Sequence, residues 1–195
     1  VAEENGTYNK EAEYVWYIDP IDGTFNFSRG NPNFCVMIGV ARRGIALAGA
    51  IYLPMLDWMY FASAGKGAYL NGRRIYGSST KMWKDSYGCA TANMRRPEKI
   101  GFMKKLLIKA RDYPFWLGAM GSFGVAAGYV AQGVFDWWAS VHCNPWETTS
   151  AGLILKEAGC IVTNKEGRSF KVGDESLVVA NQYLHPQLMK IVAGK

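Results

Sequence analysis

Six short strand-like runs, separated by tight turns, fill the first eighty residues and constrain the fold more than any other feature. They cover residues 15–18, 34–41, 45–52, 58–62, 67–70 and 73–76. Asn71-Gly72 lies between the last two runs, and this dipeptide is a strong signal for a type I′ hairpin. Strands joined by turns this tight pair in opposite directions. The first part of the chain is therefore predicted to form an antiparallel sheet.

The rest of the chain alternates between strand-like and helix-like segments. Strands are predicted at 87–91, 114–117, 135–139, 160–163 and 177–180, and helices at 97–111, 122–132, 146–158 and 185–192. Such alternation is typical of a sheet with helices packed on its faces. We therefore expect an α+β or layered α/β fold, in which an antiparallel sheet is followed by a mixed α/β sub-domain. The polar stretch 77–85 separates the predicted sub-domains, residues 1–80 and 81–195.

The composition excludes several classes of protein. Hydrophobic residues make up 49% of the 195 residues and aromatic residues 14%, which is more apolar surface than a disordered chain carries. The sequence has no run of about 20 apolar residues that could span a membrane, and it does not begin with a signal peptide. The net charge of +6 comes from scattered basic pairs, without a nucleic-acid-binding motif. We expect a cytoplasmic protein with four reduced cysteines and no nucleic-acid or membrane partner.

Two carboxylates follow the first strand-like run, on either side of a proline. Asp19 and Asp22 are three residues apart, and Pro20 favours an extended backbone at Asp19. Both carboxylates can then converge at the end of the strand, with the carbonyl of Ile21 between them. Oxygen ligands suit hard cations such as Mg²⁺, which binds to a few carboxylates and to substrate phosphate. The simpler interpretation is an Asp-Pro turn that caps a helix.

Gly23 and Thr24 come directly after this pair and add groups that suit a phosphate. Backbone N–H groups at helix starts and in tight turns bind anions. The Thr24 hydroxyl can also orient a water molecule. Segment 16–27 as a whole therefore predicts a metal-assisted phosphate site rather than a turn alone.

Three motifs resemble those of the inositol monophosphatase family, which consists of Mg²⁺-dependent, lithium-sensitive sugar phosphatases. The first is segment 16–27, and the second is segment 146–159, which resembles the family's Trp-Asp-x-x-Ala-Gly helix ending in Glu-Ala-Gly. The third is the acidic pair Glu3-Glu4, upstream of both. The resemblance extends over essentially the whole chain, including the hairpin at 66–72. It implies a sugar-phosphatase fold with alternating helix and sheet layers.

The resemblance also implies metal ligands and catalytic residues. The expected ligands of two or more Mg²⁺ ions are Glu3, Asp19, the Ile21 carbonyl, Asp22 and Glu147. Asp22 is expected to be catalytic together with Glu3 and Thr24, which would position and deprotonate the attacking water. A metal lowers the pKa of bound water enough to make it a nucleophile near neutral pH.

The substrate site follows from the same resemblance. The amides of Gly23 and Thr24 are expected to bind the phosphate. The pocket for the rest of the substrate is expected to contain Gly121, Ser122, Phe123 and Ser140. Ser122 is equally well explained as a helix N-cap, and Phe123 as a packing residue.

Two positions depart from the family's pattern. Glu147 stands where the family usually has aspartate, and its extra methylene is expected to shift or weaken the second metal, because Mg²⁺ demands near-ideal geometry. Glu147 can also be explained as an acid that stabilises the first turn of a helix. Ser140 stands where many inositol-specific members have glutamate, which weakens the inositol interpretation. Residues 23–30 are also similar to members that hydrolyse fructose 1,6-bisphosphate as well.

We therefore predict a homodimeric, Mg²⁺-dependent phosphomonoesterase for a small phosphorylated polyol or sugar. The alternative is a truncated or degenerate member that binds metal or a partner without efficient turnover. Two observations favour this alternative. Glu147 departs from the family's pattern, and the sequence before Glu3 lacks the family's pair of helices, which packs on the sheet and helps to form the dimer. A 3′-phosphonucleotide phosphatase is a third possibility, although Asn26-Phe27 fits the inositol branch better.

Overall fold

The computed structural model describes residues 1, 12–90, 97–111 and 114–193, whose strands form two separate sheets. The first sheet is antiparallel, with its six strands in sequence order. They are β1 (Tyr14–Asp22), β2 (Cys35–Arg42), β3 (Ile45–Leu53), β4 (Trp58–Ser63), β5 (Gly67–Leu70) and β6 (Arg73–Arg74). Asn71 and Gly72 join β5 to β6 with φ values of 46° and 79°, and two positive φ values are what a type I′ turn requires.

The second sheet is mixed and has the strand order β10-β11-β9-β7-β8. Its strands are β7 (Tyr87–Ala90), β8 (Trp116–Gly118), β9 (Trp137–Val141), β10 (Ile161–Thr163) and β11 (Ser176–Ala180). β7 is parallel to β8 and β9, whereas β9, β11 and β10 pair antiparallel. Every residue of β9 and β11 is buried, as expected for strands that are covered on both faces.

Helices cover both faces of the second sheet. The described residues form α1 (Thr24–Ser28), α2 (Pro97–Ala110), α3 (Phe123–Ala131), α4 (Pro145–Glu157), α5 (His185–Ala193) and a short 3-10 helix, Trp83–Asp85. α3 and α4 pack between the two sheets, and α2 and α5 lie on the far face of the second sheet. The sheet, helix, sheet, helix order confirms the layered fold that the sequence predicts.

Two glycines allow α4 to lie directly on the first sheet. A Cβ atom on Gly49 of β3 would lie 2.7 Å from the Cα of Ser150, and one on Gly39 of β2 would lie 2.8 Å from Cγ2 of Thr149. A larger residue at either position would push the helix away. Glycine is needed here because the backbone of α4 approaches the strands closely. This contact fixes the height of α4 above β2 and β3.

The main hydrophobic core joins the first sheet, α3, α4 and one face of the second sheet, and it includes Tyr60, Trp138 and Ile154. The other face of the second sheet forms a smaller core with α2 and α5, around Trp137 and Leu106. Helices from the second half of the chain thus complete the core of the first. The division into sub-domains at residues 80 and 81 stays a prediction. None of the helices in the described part has the length and apolar character needed to cross a membrane.

Candidate active site

β1 ends in a β-bulge that contains both predicted aspartates. Asp19 pairs with Met37, but Asp22 pairs with Cys35, so three steps along β1 match two along β2. The amide of Ile21 donates a hydrogen bond to Oδ1 of Asp19 (3.2 Å). Asp19 and Asp22 are 2% and 6% exposed. The bulge therefore places two buried carboxylates at the end of the strand.

Hydrogen bonds from three groups converge on one oxygen of Asp22. Oδ2 accepts from the Ser122 hydroxyl (2.5 Å), the Gly124 amide (2.7 Å) and the Cys35 thiol (3.3 Å). Ser122 and Gly124 belong to the start of α3, where the positive end of the helix dipole favours a carboxylate. These contacts fix the orientation of Asp22.

A cavity of about 630 Å³ opens beside Asp22. The residues predicted from the sequence that line it are Asp22, Gly121, Ser122, Phe123 and Glu147. Asn26, Asn31, Asn33, Lys99 and Trp138 also line it. The fold thus brings residues from β1, α2, α3, β9 and α4 to one concave site whose volume is in the range of small-molecule pockets.

Glu147 has a helix-capping contact in addition to its place at the cavity. It is the third residue of α4, and its Oε2 accepts a hydrogen bond from the amide of Asn144 (2.6 Å). A glutamate at this position that reaches back to the N-cap amide is half of a capping box. The structure therefore shows the capping contact, and the role of Glu147 as a metal ligand stays a prediction.

Ser122 also combines two contacts. Its hydroxyl donates to Asp22 and accepts a hydrogen bond from the amide of Val125 (3.2 Å), which caps α3. Phe123 lines the cavity and packs edge-to-face on Trp138, with ring centroids 4.4 Å apart. Its packing and pocket-lining explanations are thus compatible.

Asn26 joins the two loops of the site, a role that was not among the sequence predictions. Its Nδ2 donates to the carbonyls of Asn33 (2.6 Å) and Met120 (2.8 Å). A Cβ atom on Gly121, which has φ +69°, would lie 2.9 Å from that same Nδ2. α1 is therefore tied to the loop before α3.

Gly23 and Thr24 form the start of α1. Gly23 has φ +85°, and the Thr24 hydroxyl donates to the Ile21 carbonyl (3.0 Å). The first amides of a helix have no partners within it. Thr24 is exposed.

Some predicted residues are not among the described residues that line the cavity, namely Asp19, Ile21, Gly23, Thr24 and Ser140. Ser140 is 1% exposed within β9. Glu3 and its neighbour Glu4 lie outside the described residues. The roles predicted for Ser140 and Glu3 stay predictions.

Lys99 is a cavity residue that the sequence reasoning missed. It is buried and belongs to α2, together with the buried residues Phe102 and Leu106. These positions are spaced i, i+3 and i+7, which places them on one helix face. A lysine on an otherwise apolar helix face was the sequence signal that could have identified this residue.

The donor chemistry of the site fits a hard cation. Asp22 is a buried carboxylate that receives neutral hydrogen bonds and no ion pair from the described part of the chain. Burying an uncompensated charge is costly, and Mg²⁺ is bound by such oxygens. The described residues include no group of three or more His, Cys, Asp or Glu that could hold a metal. Glu3, the further predicted ligand, lies outside them.

Comparisons with known proteins agree with this architecture. A profile described as the inositol monophosphatase family matches residues 1–194. A fructose-1,6-bisphosphatase/inositol-1-monophosphatase of Aquifex aeolicus is 34% identical over 98% of this chain and 71% of its own length. An inositol-1-monophosphatase of Mesorhizobium japonicum is 31% identical over 97% of this chain and 72% of its own.

A solved structure shares the fold at similar coverage. The inositol monophosphatase of Anabaena (Nostoc) sp. PCC 7120 superposes with a TM-score of 0.91 and 29% identity, covering 100% of this chain and 77% of that one. The match includes both sheets and the helices between them, because it covers the whole chain. The chain therefore belongs to the inositol monophosphatase family and is a phosphoric monoester hydrolase.

Proposed function

We propose that the chain hydrolyses a small phosphorylated polyol or sugar, with inositol monophosphate and fructose 1,6-bisphosphate as candidate substrates. The observation that carries the proposal is the fixed carboxylate of Asp22 at a cavity that Glu147 also lines. The names of the two relatives described above support these substrates. Substrate choice within one fold depends on few contacts, so both remain candidates.

The family is generally metal-dependent, and the metal here is proposed to be Mg²⁺, in two or more sites. Asp19, Asp22, the Ile21 carbonyl and Glu147 would hold it, with Glu3 from outside the described residues. When bound, it would supply a nucleophilic water near neutral pH and neutralise charge on the phosphoryl group.

The chain's own groups position the reactants. The amides of Gly23 and Thr24 would bind the phosphate. Because the Thr24 hydroxyl donates its proton to the Ile21 carbonyl, its oxygen can accept a hydrogen bond from the attacking water. Ser122 and Gly124 keep the Asp22 carboxylate from rotating. Glu3 would take up the proton of the water, as the family resemblance implies.

A homodimer and a cytoplasmic location belong to the same proposal. The four cysteines are free and buried, which suits a reducing compartment. The outer face of the first sheet exposes large apolar side chains, among them Trp16, Ile38 and Phe61. Sedimentation of the purified chain measures the oligomeric state, and a monomer at micromolar concentration would contradict this part of the proposal.

Phosphate release tests the function. The purified chain is assayed with inositol 1-phosphate and fructose 1,6-bisphosphate, with and without Mg²⁺ and with Li⁺. Asp22→Asn should lower kcat/KM at least about 100-fold, because a carboxylate at the reacting centre is lost. Asp57→Asn, in the exposed turn between β3 and β4, is the matched control. Normal turnover by Asp22→Asn would overturn the proposal.

A member that binds without efficient turnover is the second candidate. The capping contact of Glu147 favours it, because one carboxylate oxygen of a predicted ligand is already engaged. Titration calorimetry with Mg²⁺ and fructose 1,6-bisphosphate separates the two functions. Binding without phosphate release would support the second candidate, and release at a measurable kcat excludes it.

A further inference from the structure

Lys99 is a charged residue of the cavity for which the proposed reaction has no use. It lines the cavity together with Asp22 and Glu147 and is only 8% exposed. Within the described part of the chain, its side chain has neither a hydrogen bond nor an ion pair. Its ammonium nitrogen is not one of the buried polar atoms that lack a hydrogen bond. The stem of the side chain is therefore packed, while its charged end reaches the space of the cavity.

The position of Lys99 on its helix is also unfavourable. It is the third residue of α2, in the first turn. The N-terminal end of a helix carries partial positive charge, which disfavours a cation there. Neither its helix position nor a hydrogen bond or ion pair within the described part of the chain accounts for a lysine at this site.

The surrounding packing keeps Lys99 at the cavity. Phe102 and Leu106 anchor the same face of α2 in the smaller core. Glu98 lies 3.9 Å from Nε2 of His142, in the loop between β9 and α4 that precedes Glu147. The start of α2 is thus held against the loop between β9 and α4, which leads to Glu147.

The charges of Lys99 and Glu147 act on the same neighbourhood. The pKa of the Cys143 thiol is raised to about 12, mainly by burial, and within that net effect Glu147 raises it and Lys99 lowers it. No ion pair joins Lys99 and Glu147 across the described residues. Both charges therefore lie near the same thiol at the cavity.

We propose that Lys99 binds a second anionic group of the substrate, a phosphate or a carboxylate, distinct from the phosphate that is hydrolysed. The proposal rests on the proposed function, because it assigns the substrate class of that same site. Lys99 supplies positive charge from the chain itself, whereas the carboxylates of Asp22 and Glu147 supply negative charge. Asn26, Asn31 and Asn33 also line the cavity, and their amide groups are suited to uncharged hydroxyl groups.

Substrate discrimination tests the proposal. Wild type, Lys99→Gln and Lys99→Arg are assayed with inositol 1-phosphate, whose remainder is uncharged, and with fructose 1,6-bisphosphate and 2-phosphoglycerate. In Lys99→Gln, the kcat/KM ratio of an anionic substrate to inositol 1-phosphate should fall about 10- to 100-fold, mainly through KM. Lys99→Arg should restore most of it. The substrate that shows the fall identifies phosphate or carboxylate as the group bound.

Lys105→Gln is the matched control, because Lys105 lies on the exposed face of the same helix. It should leave the ratio unchanged. An unchanged ratio in Lys99→Gln would overturn the inference even if the wild type is an active phosphatase. If Lys99→Gln changes the Mg²⁺ requirement equally for all three substrates, the inference is also overturned. Lys99 would then only compensate the negative charge of Glu147.

Thermal melting separates this inference from the proposed function. Without ligand, Lys99→Met should melt no lower than the wild type, because methionine keeps most of the packed stem and the change removes no hydrogen bond or ion pair within the described part of the chain. Fructose 1,6-bisphosphate should raise the Tm of the wild type more than that of Lys99→Met, because the variant binds the second anionic group less well. If the wild type hydrolyses nothing, the proposed function fails, while this shift still tests Lys99. A lower Tm without ligand, together with an equal shift, would show a structural role and overturn the inference.

Discussion

The Ser122 hydroxyl donates a hydrogen bond to Oδ2 of Asp22, although the two residues are one hundred positions apart. The same hydroxyl accepts from the Val125 amide and so caps α3. One side chain therefore caps a helix and orients a carboxylate of the candidate active site. We expect stability and activity to be coupled at this position.

Ser122→Ala should lower the free energy of unfolding by about 1–3 kcal/mol, since it removes the N-cap and one hydrogen bond to a carboxylate. Ser122→Gly should be less destabilising, because glycine costs only a few tenths of a kcal/mol relative to serine at an N-cap. Urea unfolding measures both variants. If the two lose phosphatase activity equally, the loss comes from Asp22 and not from the cap. Full activity in both would contradict the orienting role.

Glu147→Gln should separate helix capping from metal binding. Glutamine can also accept from the Asn144 amide, so the free energy of unfolding should change little. The Mg²⁺ concentration for half-maximal activity should rise at least about tenfold. Mutating a residue that only hydrogen-bonds to a metal ligand already lowers metal affinity by about that factor. Glu166→Gln, an exposed site, is the control. An unchanged Mg²⁺ requirement would show that Glu147 is a capping residue only.

The four cysteines should be unreactive in the folded protein. Burial raises the pKa of Cys89 to about 11 and that of Cys160 to about 12. It also raises the pKa of Cys35, whose thiol lies beside the Asp22 charge. Because the thiolate is the reactive form, an aromatic disulfide reagent at pH 8 should modify none of the four before unfolding and all four in urea. Rapid native modification of any one would contradict the buried arrangement.

His185 should make the fold less stable in acid. Burial lowers its pKa, and its Nε2 lies 3.0 Å from the Thr163 hydroxyl. The unfolded chain then binds the proton first, near pH 6.5, so stability falls as the pH drops below that value. Urea unfolding at about pH 8 and pH 5.5 should show a smaller loss for His185→Gln than for the wild type. His142→Asn, at the other histidine, is the control and should keep the wild-type loss.

The sequence predicted the first sheet well because its signals are local. Apolar runs and turn residues place β2 to β5 within one residue of their observed bounds. β1 is longer than predicted, because pairing continues past Pro20 through the bulge to Asp22. α1 was not predicted as a helix, since five residues are too few to show a helical period. The order of the second sheet depends on crossovers between distant strands, for which no local signal exists.

The site was predicted only in part, for the same physical reason. Asp22 and Glu147 could be recognised because each belongs to a compact motif. Asn26 contacts residues far away in sequence, such as Met120. Lys99 reaches the cavity only because α2 packs on the second sheet. Ser140 was selected by its position in the family's pattern, and its burial in β9 depends on covering layers that the local sequence does not encode.

The close packing of α4 on Gly39 and Gly49 has a consequence for folding. Asp22 belongs to the first sheet. Glu147 belongs to α4, which takes up its observed position only when it packs between both sheets. A chain with one sheet formed would hold one acid without the other. A ligand that needs both would therefore stabilise the finished molecule and no intermediate. Its binding would report that folding is complete.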